Sequence, residues 1–254
     1  MRYISGICLD FSLGLAWLMQ TALTQSVLVE EYSGLALTFE KDVLPALAGL
    51  ALEFAGLRPG DRYLAGLWEK SLLNDLAWCR DLSVTTNPRP VVYRAPSWSW
   101  ASITQRVFFY SSLSEEEGAR ARVISANTTL AGPDARGEVE AGSIVLVAPV
   151  QLARIVWAGT SHFDVETDSR QTPPVCCTVD SISDCLDGAV SLGSSVLLLL
   201  LKANDVDSFF LVLTQAQGRP GAYRRAGINT HKQISRLEYA RTGWFRNEVQ
   251  VEIV

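Results

Sequence analysis

Tyr93-Arg94-Ala95-Pro96-Ser97-Trp98-Ser99-Trp100-Ala101-Ser102 is the stretch on which the reading of the fold turns. In an extended conformation Trp98 and Trp100 point to one side, with Ser97 and Ser99 on the other. Two indoles on one side can bury on the order of a few hundred Å² and pin neighbouring elements together. An aromatic platform for a sugar or a base is the alternative; packing is preferred because buried tryptophans usually anchor cores. Ahead of the stretch the apolar pattern is helical, and after it a period of two takes over. The expected fold class is therefore α+β, a helical N-terminal third packed on a β-rich C-terminal part.

The first strong helical element is Val43 to Phe54, with Asp42 as its cap, Pro45 in its first turn and Gly56 just past its end. After the turn Arg58-Pro59-Gly60-Asp61, the spacing predicts an amphipathic helix from Tyr63 to Cys79. Leu64, Leu67, Trp68, Leu72 and Leu76 form its apolar stripe, Lys70 and Asn74 lie off it, and Asp75 interrupts it. Thr85 to Pro90 reads as a polar loop.

Beyond the tryptophans, Arg106 to Tyr110, Ala121 to Ala126 and Ser143 to Val150 read as strands. Ser114 to Arg120 is a charged surface excursion, Gly132-Pro133-Asp134 a turn, and Gly159 to Pro174 a second polar loop. Val196 to Lys202 and Phe209 to Thr214 look like paired core strands joined by a turn at Asn204 and Asp205. The C-terminus alternates, with Val249, Val251 and Ile253 on one face. These patterns divide the chain into an apolar lead segment (1–28), a helical region (29–90) and a β-rich region (91–254), the last forming one continuous globular unit with the helices.

The chain has 254 residues, 48% of them hydrophobic and 19% charged, as expected of a folded protein. A net charge of −5 argues against a general nucleic-acid binder, which needs a basic surface to displace counterions. From Arg219 to Arg246 the basic residues Arg219, Arg224, Arg225, Lys232, Arg236, Arg241 and Arg246 face a single acid, Glu238. A solvated basic face is the preferred reading, over a site for an anion or an acidic partner. Cys8, Cys79, Cys176, Cys177 and Cys185 are odd in number and include an adjacent pair, which suggests reduced thiols and a cytoplasmic location. The run from Ile4 to Leu23 carries Asp10 and lacks a clean cleavage site. It reads as a buried segment or the arbitrary start of a truncated gene product rather than a signal peptide or membrane span.

No strong catalytic pattern emerges. G-x-S-x-G, Walker A, G-x-G-x-x-G and H-E-x-x-H motifs are all absent. Only His162 and His231 could serve a triad, and the adjacency of Ser161 and His162 carries no weight, since neighbours on a strand face opposite ways. His231 lies in the basic stretch, where a surface role is preferred. His162 with Cys176, Cys177 and Cys185 lacks the paired spacing of a zinc site. Asp180, Asp184 and Asp187 lack the glycine and terminal glutamate of a calcium loop, and solvated turn residues are the preferred reading. No cofactor or metal is expected from these residues.

Four motifs carry a resemblance. Val29-Glu30-Glu31-Tyr32-Ser33 followed by Leu37-Thr38, the run Asp42-Val43-Leu44-Pro45 to Ala51, Tyr63-Leu64-Ala65-Gly66-Leu67-Trp68, and above all Arg94-Ala95-Pro96-Ser97-Trp98-Ser99-Trp100-Ala101 resemble, in order and spacing, the fungal heterokaryon-incompatibility (HET domain) protein family. The ending Val251-Glu252-Ile253-Val254 is similar too. In that family these motifs lie downstream of the HET domain. The residues so marked are Tyr32, Asp42, Pro45, Gly66, Trp68, Arg94, Pro96, Trp98 and Trp100, and a structural role is expected for them. Only residues 1–28 precede the first motif, Leu35 and Val43 stand where basic residues are usual, and a tryptophan usual before the tyrosine is missing.

The resemblance implies a C-terminal HET region without its effector domain. Such a chain is expected to be a non-catalytic interaction or regulatory module, tied to non-self recognition and programmed cell death. A protein partner fits that expectation; nucleic acid and membrane do not. The alternative is a small enzyme or accessory protein of a fungal secondary-metabolite pathway, using a pocket beside Trp98 and Trp100. A module is expected to fill the tryptophan junction, and an enzyme to show a sizeable concave pocket with convergent polar groups.

Overall fold

In the computed structural model, residues 22–84, 88–110, 118–167, 174–186, 188, 190–203, 208–229 and 244–254 are described. Strand outweighs helix, 42% against 19%, so the expected helical N-terminal third packed on a β-rich part is corrected to a mainly β architecture. Two helices, α1 (Ala22–Ser33) and α2 (Ala48–Leu57), precede the strands, and two single turns, α3 (Leu72–Asp75) and α4 (Ile182–Leu186), lie among them. The expected boundary at residue 28 falls inside α1. The lead segment up to residue 21, the Asn204–Asp205 turn, Asp187, His231, Lys232, Arg236 and Arg241 lie outside the described residues.

The segment expected as the best helix departs most from its pattern. Tyr63–Leu64 (β1) and Leu67–Trp68 (β2) form a tight hairpin, α3 follows, and Trp78–Arg80 (β3) pairs with Val107–Phe109 (β4). Ala65 and Gly66 both take positive φ, 47° and 97°, as a two-residue hairpin turn requires. Leu64, Leu67, Trp68, Leu72 and Leu76 are nonetheless all buried. Their three- and four-residue spacing marked burial correctly, but a segment buried on several sides shows such spacing without being helical. Asp75, the interruption in the stripe, accepts hydrogen bonds from the Trp68 amide and the Ser71 hydroxyl, each at 3.0 Å, and so locks the hairpin to α3.

Asp42 does not cap a long helix. It sits exposed in a 3₁₀ turn, Glu40–Val43; Pro45 opens a second turn, and α2 starts only at Ala48, with Gly56 inside it. The tryptophan stretch is not extended either. Ser97 and Trp98 lie in a turn, and Trp100–Ser102 is a 3₁₀ turn whose entry Ser99 caps by accepting from the Ala101 amide at 3.0 Å. Trp98 and Trp100 are still 0% and 1% exposed.

The large sheet comprises β5 (Arg122–Leu130), β6 (Val139–Ala158), β7 (His162–Glu166), β8 (Val175–Val179), β9 (Ser195–Ala203), β10 (Ser208–Gln215), β11 (Ala222–Ile228) and β12 (Asn247–Ile253). The predicted polar loop from Gly159 to Pro174 contains β7, whose alternation of buried Phe163 and Val165 with more exposed neighbours was masked by its polar composition.

The pairings close two rings. β6, β9, β10 and β11 belong to both; β12 bridges β6 to β11 on one side, and β7 with β8 bridges them on the other. The 20 residues of β6 make this possible, because residues 144–150 pair with β12 and 154–158 with β7. Alternate residues of β9 then face different cores. Leu197, Leu199 and Leu201 join a cluster with β12 and the tryptophans, while Val196, Leu198 and Leu200 join a second cluster with β7 and β8. A strand buried on both faces reads as the continuous apolar run seen here.

Replacing Trp98 with alanine is expected to remove about 3–5 kcal/mol of stability or abolish soluble expression, measured by chemical denaturation. Its indole N–H has no partner among the described residues, so its contribution is packing. A variant that melts normally but loses a ligand would contradict this role. Asp75 supplies a pH signature. Burial pushes its carboxyl up to about 6, against the opposing pull of the Trp68 amide, Ser71 and Arg58. Its folded-state proton is held more tightly than in the unfolded chain, so its contribution favours the fold below about pH 4 and is lost as pH rises to about 6. The wild-type chain is expected to lose roughly 1–3 kcal/mol across that window from this group, and Asp75→Asn to flatten the profile.

Candidate functional site

Arg225 of β11 is 0% exposed, and its guanidinium is fully engaged at the centre of the molecule. Its Nε and Nη2 donate to the Asp180 carboxylate at 2.9 and 3.2 Å. Nη1 donates to the Leu76 carbonyl at 2.8 Å and Nη2 to that of Trp78 at 2.5 Å. The plane stacks on the Trp78 ring, 3.5 Å from its centroid, a cation–π contact in a dry setting. Burial raises the Asp180 carboxyl and lowers the Arg225 guanidinium, and each partner's charge opposes that effect. Arg80 of β3, 1% exposed, adds a second buried guanidinium that donates to the Val179 carbonyl at 2.9 Å, one residue from Asp180.

A second arginine group adjoins the first. Asp184 in α4 receives Arg89 through Nε at 2.9 Å and Nη2 at 2.7 Å, and Arg224 through Nη2 at 3.0 Å. The basic stretch is thus only partly a solvated face over its described part: Arg225 is buried and Arg224 is half-exposed and paired, whereas Arg246 and Arg219, the latter paired with Glu252 at 2.9 Å, are exposed. Asp180 and Asp184 are likewise neither solvated nor ligands but buried partners of arginines. Sequence reasoning missed the group because Arg89 and Asp184 are far apart in the chain, and charge pairing leaves no periodic trace.

The motif residues divide. Tyr32, Gly66, Arg94 and Trp100 meet at one junction. Tyr32 packs edge-on to Trp100 with centroids 6.2 Å apart, and its hydroxyl donates to the Val43 carbonyl at 2.9 Å. Trp100 Nε1 donates to the Gly66 carbonyl at 3.0 Å, and a Cβ on Gly66 would lie 2.6 Å from that nitrogen. Only glycine fits there. Arg94 donates to the carbonyls of Glu40 and Ile103. Pro96 and Trp98 pack against β6 at Gly142, where a Cβ would come 2.5 Å from the proline ring. Trp68 is buried beneath Arg58, while Asp42 and Pro45 remain exposed.

On the far side of Pro96 and Ser97 lies an open cavity of about 900 Å³. Arg89, Arg219 and Arg224 line it with Asp184 and Glu140, and Pro90, Val92 and Tyr93 add apolar surface. A smaller cavity of about 160 Å³ lies between Tyr32, Arg94 and Trp100, so Arg94 lines both. The junction thus holds a small cavity of its own, and a sizeable concavity stands next to it.

Elsewhere the chemistry is quiet. His162 is half-buried in β7, opposite Thr178. Burial raises every described thiol, Cys176 to about 11 and Cys177 well above its ordinary value, which keeps them protonated near neutral pH. Among the described residues no three His, Cys, Asp or Glu side chains are grouped to hold a metal, and no helix is long and apolar enough to cross a membrane.

Asp180→Asn is expected to cost about 3–5 kcal/mol in chemical denaturation, because it strands the buried Arg225 charge. The double variant Asp180→Leu/Arg225→Met is expected to recover part of that loss. Equal losses for the single and double variants would show that the geometry of the pair, rather than its charge balance, is what matters.

No family model, curated protein or solved structure matches the chain.

Proposed function

We propose that this chain is a non-catalytic interaction module related to the C-terminal region of fungal heterokaryon-incompatibility proteins. It serves non-self recognition and cell-death signalling by engaging a protein partner. The support is the destination of the motif residues. Tyr32, Gly66, Arg94 and Trp100 are spent on one another and on backbone carbonyls, so the recurring motif maintains a scaffold. The serine in the motif is equally committed. Ser97 Oγ donates to the Val254 carbonyl oxygen and accepts from the Arg225 amide at 2.9 Å.

A second reading, a small enzyme or accessory protein of a secondary-metabolite pathway, draws on the open cavity. Its volume of about 900 Å³ falls within the range of small-molecule sites. The two readings separate in one experiment. Purified chain, freed of host enzymes, is expected to leave NAD intact, and inducible expression in a fungal host is expected not to kill. Co-expression with a full-length heterokaryon-incompatibility protein is expected to alter the timing or extent of the death that protein triggers. NAD turnover that disappears with His162→Ala overturns the non-catalytic reading, and cell death without turnover gives this region a signalling activity of its own.

A further inference from the structure

The large cavity has chemically unlike walls. On one, Arg89 and Arg224 converge on the single carboxylate of Asp184. Asp180 does not balance the second guanidinium, because its own charge is matched by Arg225. One positive charge at this wall is therefore uncompensated. Arg224 is the exposed member, with 35% of its side chain accessible against 16% for Arg89. Its Nε and Nη1 have no partner among the described residues. Burial lowers the Arg224 guanidinium first and the neighbouring Arg89 charge lowers it further, two costs that a bound anion would offset. Arg219, 56% exposed at the same cavity, is paired with Glu252 at 2.9 Å and so adds reachable N–H donors without further net charge.

The other wall is apolar. Val92 and Tyr93 are 44% and 48% exposed, and Pro90 and Pro96 border them. Of the other charged groups in the lining, Glu140 is acidic and offsets part of this positive charge, while Arg94, bound to the carbonyls of Glu40 and Ile103, adds to it. Val254 also reaches the cavity, where its carbonyl oxygen accepts from both the amide and the hydroxyl of Ser97.

The geometry points to a binding site for a small organic anion, a carboxylate or phosphate monoester. Its charged end pairs with Arg224, aided by Arg219, and its apolar body lies against Val92, Tyr93 and Pro96. The unpaired N–H groups on Nε and Nη1 of Arg224 are charge-assisted donors that an oxyanion can accept from. The cavity's volume of about 900 Å³ suits a small molecule, and the half-buried setting of Arg224 screens the pairing less than bulk water would. This site lies in the same cavity that the second functional reading draws on, but anion binding there does not require catalysis.

The test is calorimetric titration of the full chain with phenyl phosphate, phenylacetate and, as the neutral control, benzyl alcohol. One charged probe is expected to bind per chain while benzyl alcohol does not, and phenyl phosphate binding without phenylacetate would narrow the ligand to phosphates. Arg224→Gln keeps the Arg89–Asp184 pair and is expected to weaken binding about tenfold or more. Arg219→Gln, on an exposed side chain, is expected to weaken it less and carries the test should Arg224→Gln not fold. No binding of either charged probe at about 10 mM, a level that would reveal even millimolar affinity, overturns the proposal. So does equal binding of the alcohol, or unchanged affinity in the folded variants. A glutamate-rich peptide that binds where both small anions fail would instead make this wall a protein-docking surface.

Discussion

A guanidinium removed from water must find its partners inside the fold, and Arg225 finds them on two separate pieces of chain. Its carboxylate comes from Asp180, just past β8, and its carbonyls from Leu76 and Trp78 around β3. Its own amide is tied to Ser97 in the tryptophan stretch. Leaving a buried charge unpaired is far costlier than never burying it, so this side chain selects the arrangement in which both segments meet β11. Arg80 reinforces the choice from the neighbouring strand by taking the Val179 carbonyl.

The two strand rings follow from that meeting. β8 reaches β11 through Thr178 and Val179, immediately before Asp180, so the ion pair sits where the second ring closes. The first ring closes through β12, and its core continues without a break into Trp98, Trp100 and the helices. β9 and β10 separate the two cores and are apolar on both faces. Their burial provides the hydrophobic stabilisation against which the buried charges are held.

The tryptophan stretch has two sides with different roles. Toward the helices, Trp100 and Ser99 bind the β1–β2 hairpin through the carbonyls of Gly66 and Ala65, the latter at 2.6 Å. Toward the sheet, Pro96 and Ser97 form part of the wall of the open cavity. The residues that carry the resemblance thus shape the cavity and add Arg94 to its lining, while Arg89, Arg219 and Arg224 lie outside the motifs.

Many of the strands were legible in the sequence. The strands around Val107, Ala126, Ile144, Leu199, Leu211 and Val251 all show alternation or an apolar run, because side-chain period and burial are local properties of a strand. The burial of Leu64 through Leu76 was legible for the same reason, but its secondary structure was not. The positive φ of Ala65 and the docking of Trp100 onto Gly66 depend on residues more than thirty positions away. β7 and β11 were hidden by their polar residues, and the arginine site was hidden most completely. Arg224 and Arg225 look alike and adjacent in sequence, yet one is half-exposed at a cavity and the other sealed in the core. Local patterning marks which residues must leave water. Which charges go with them is set by packing, because a charge can be buried only where distant segments bring it a partner.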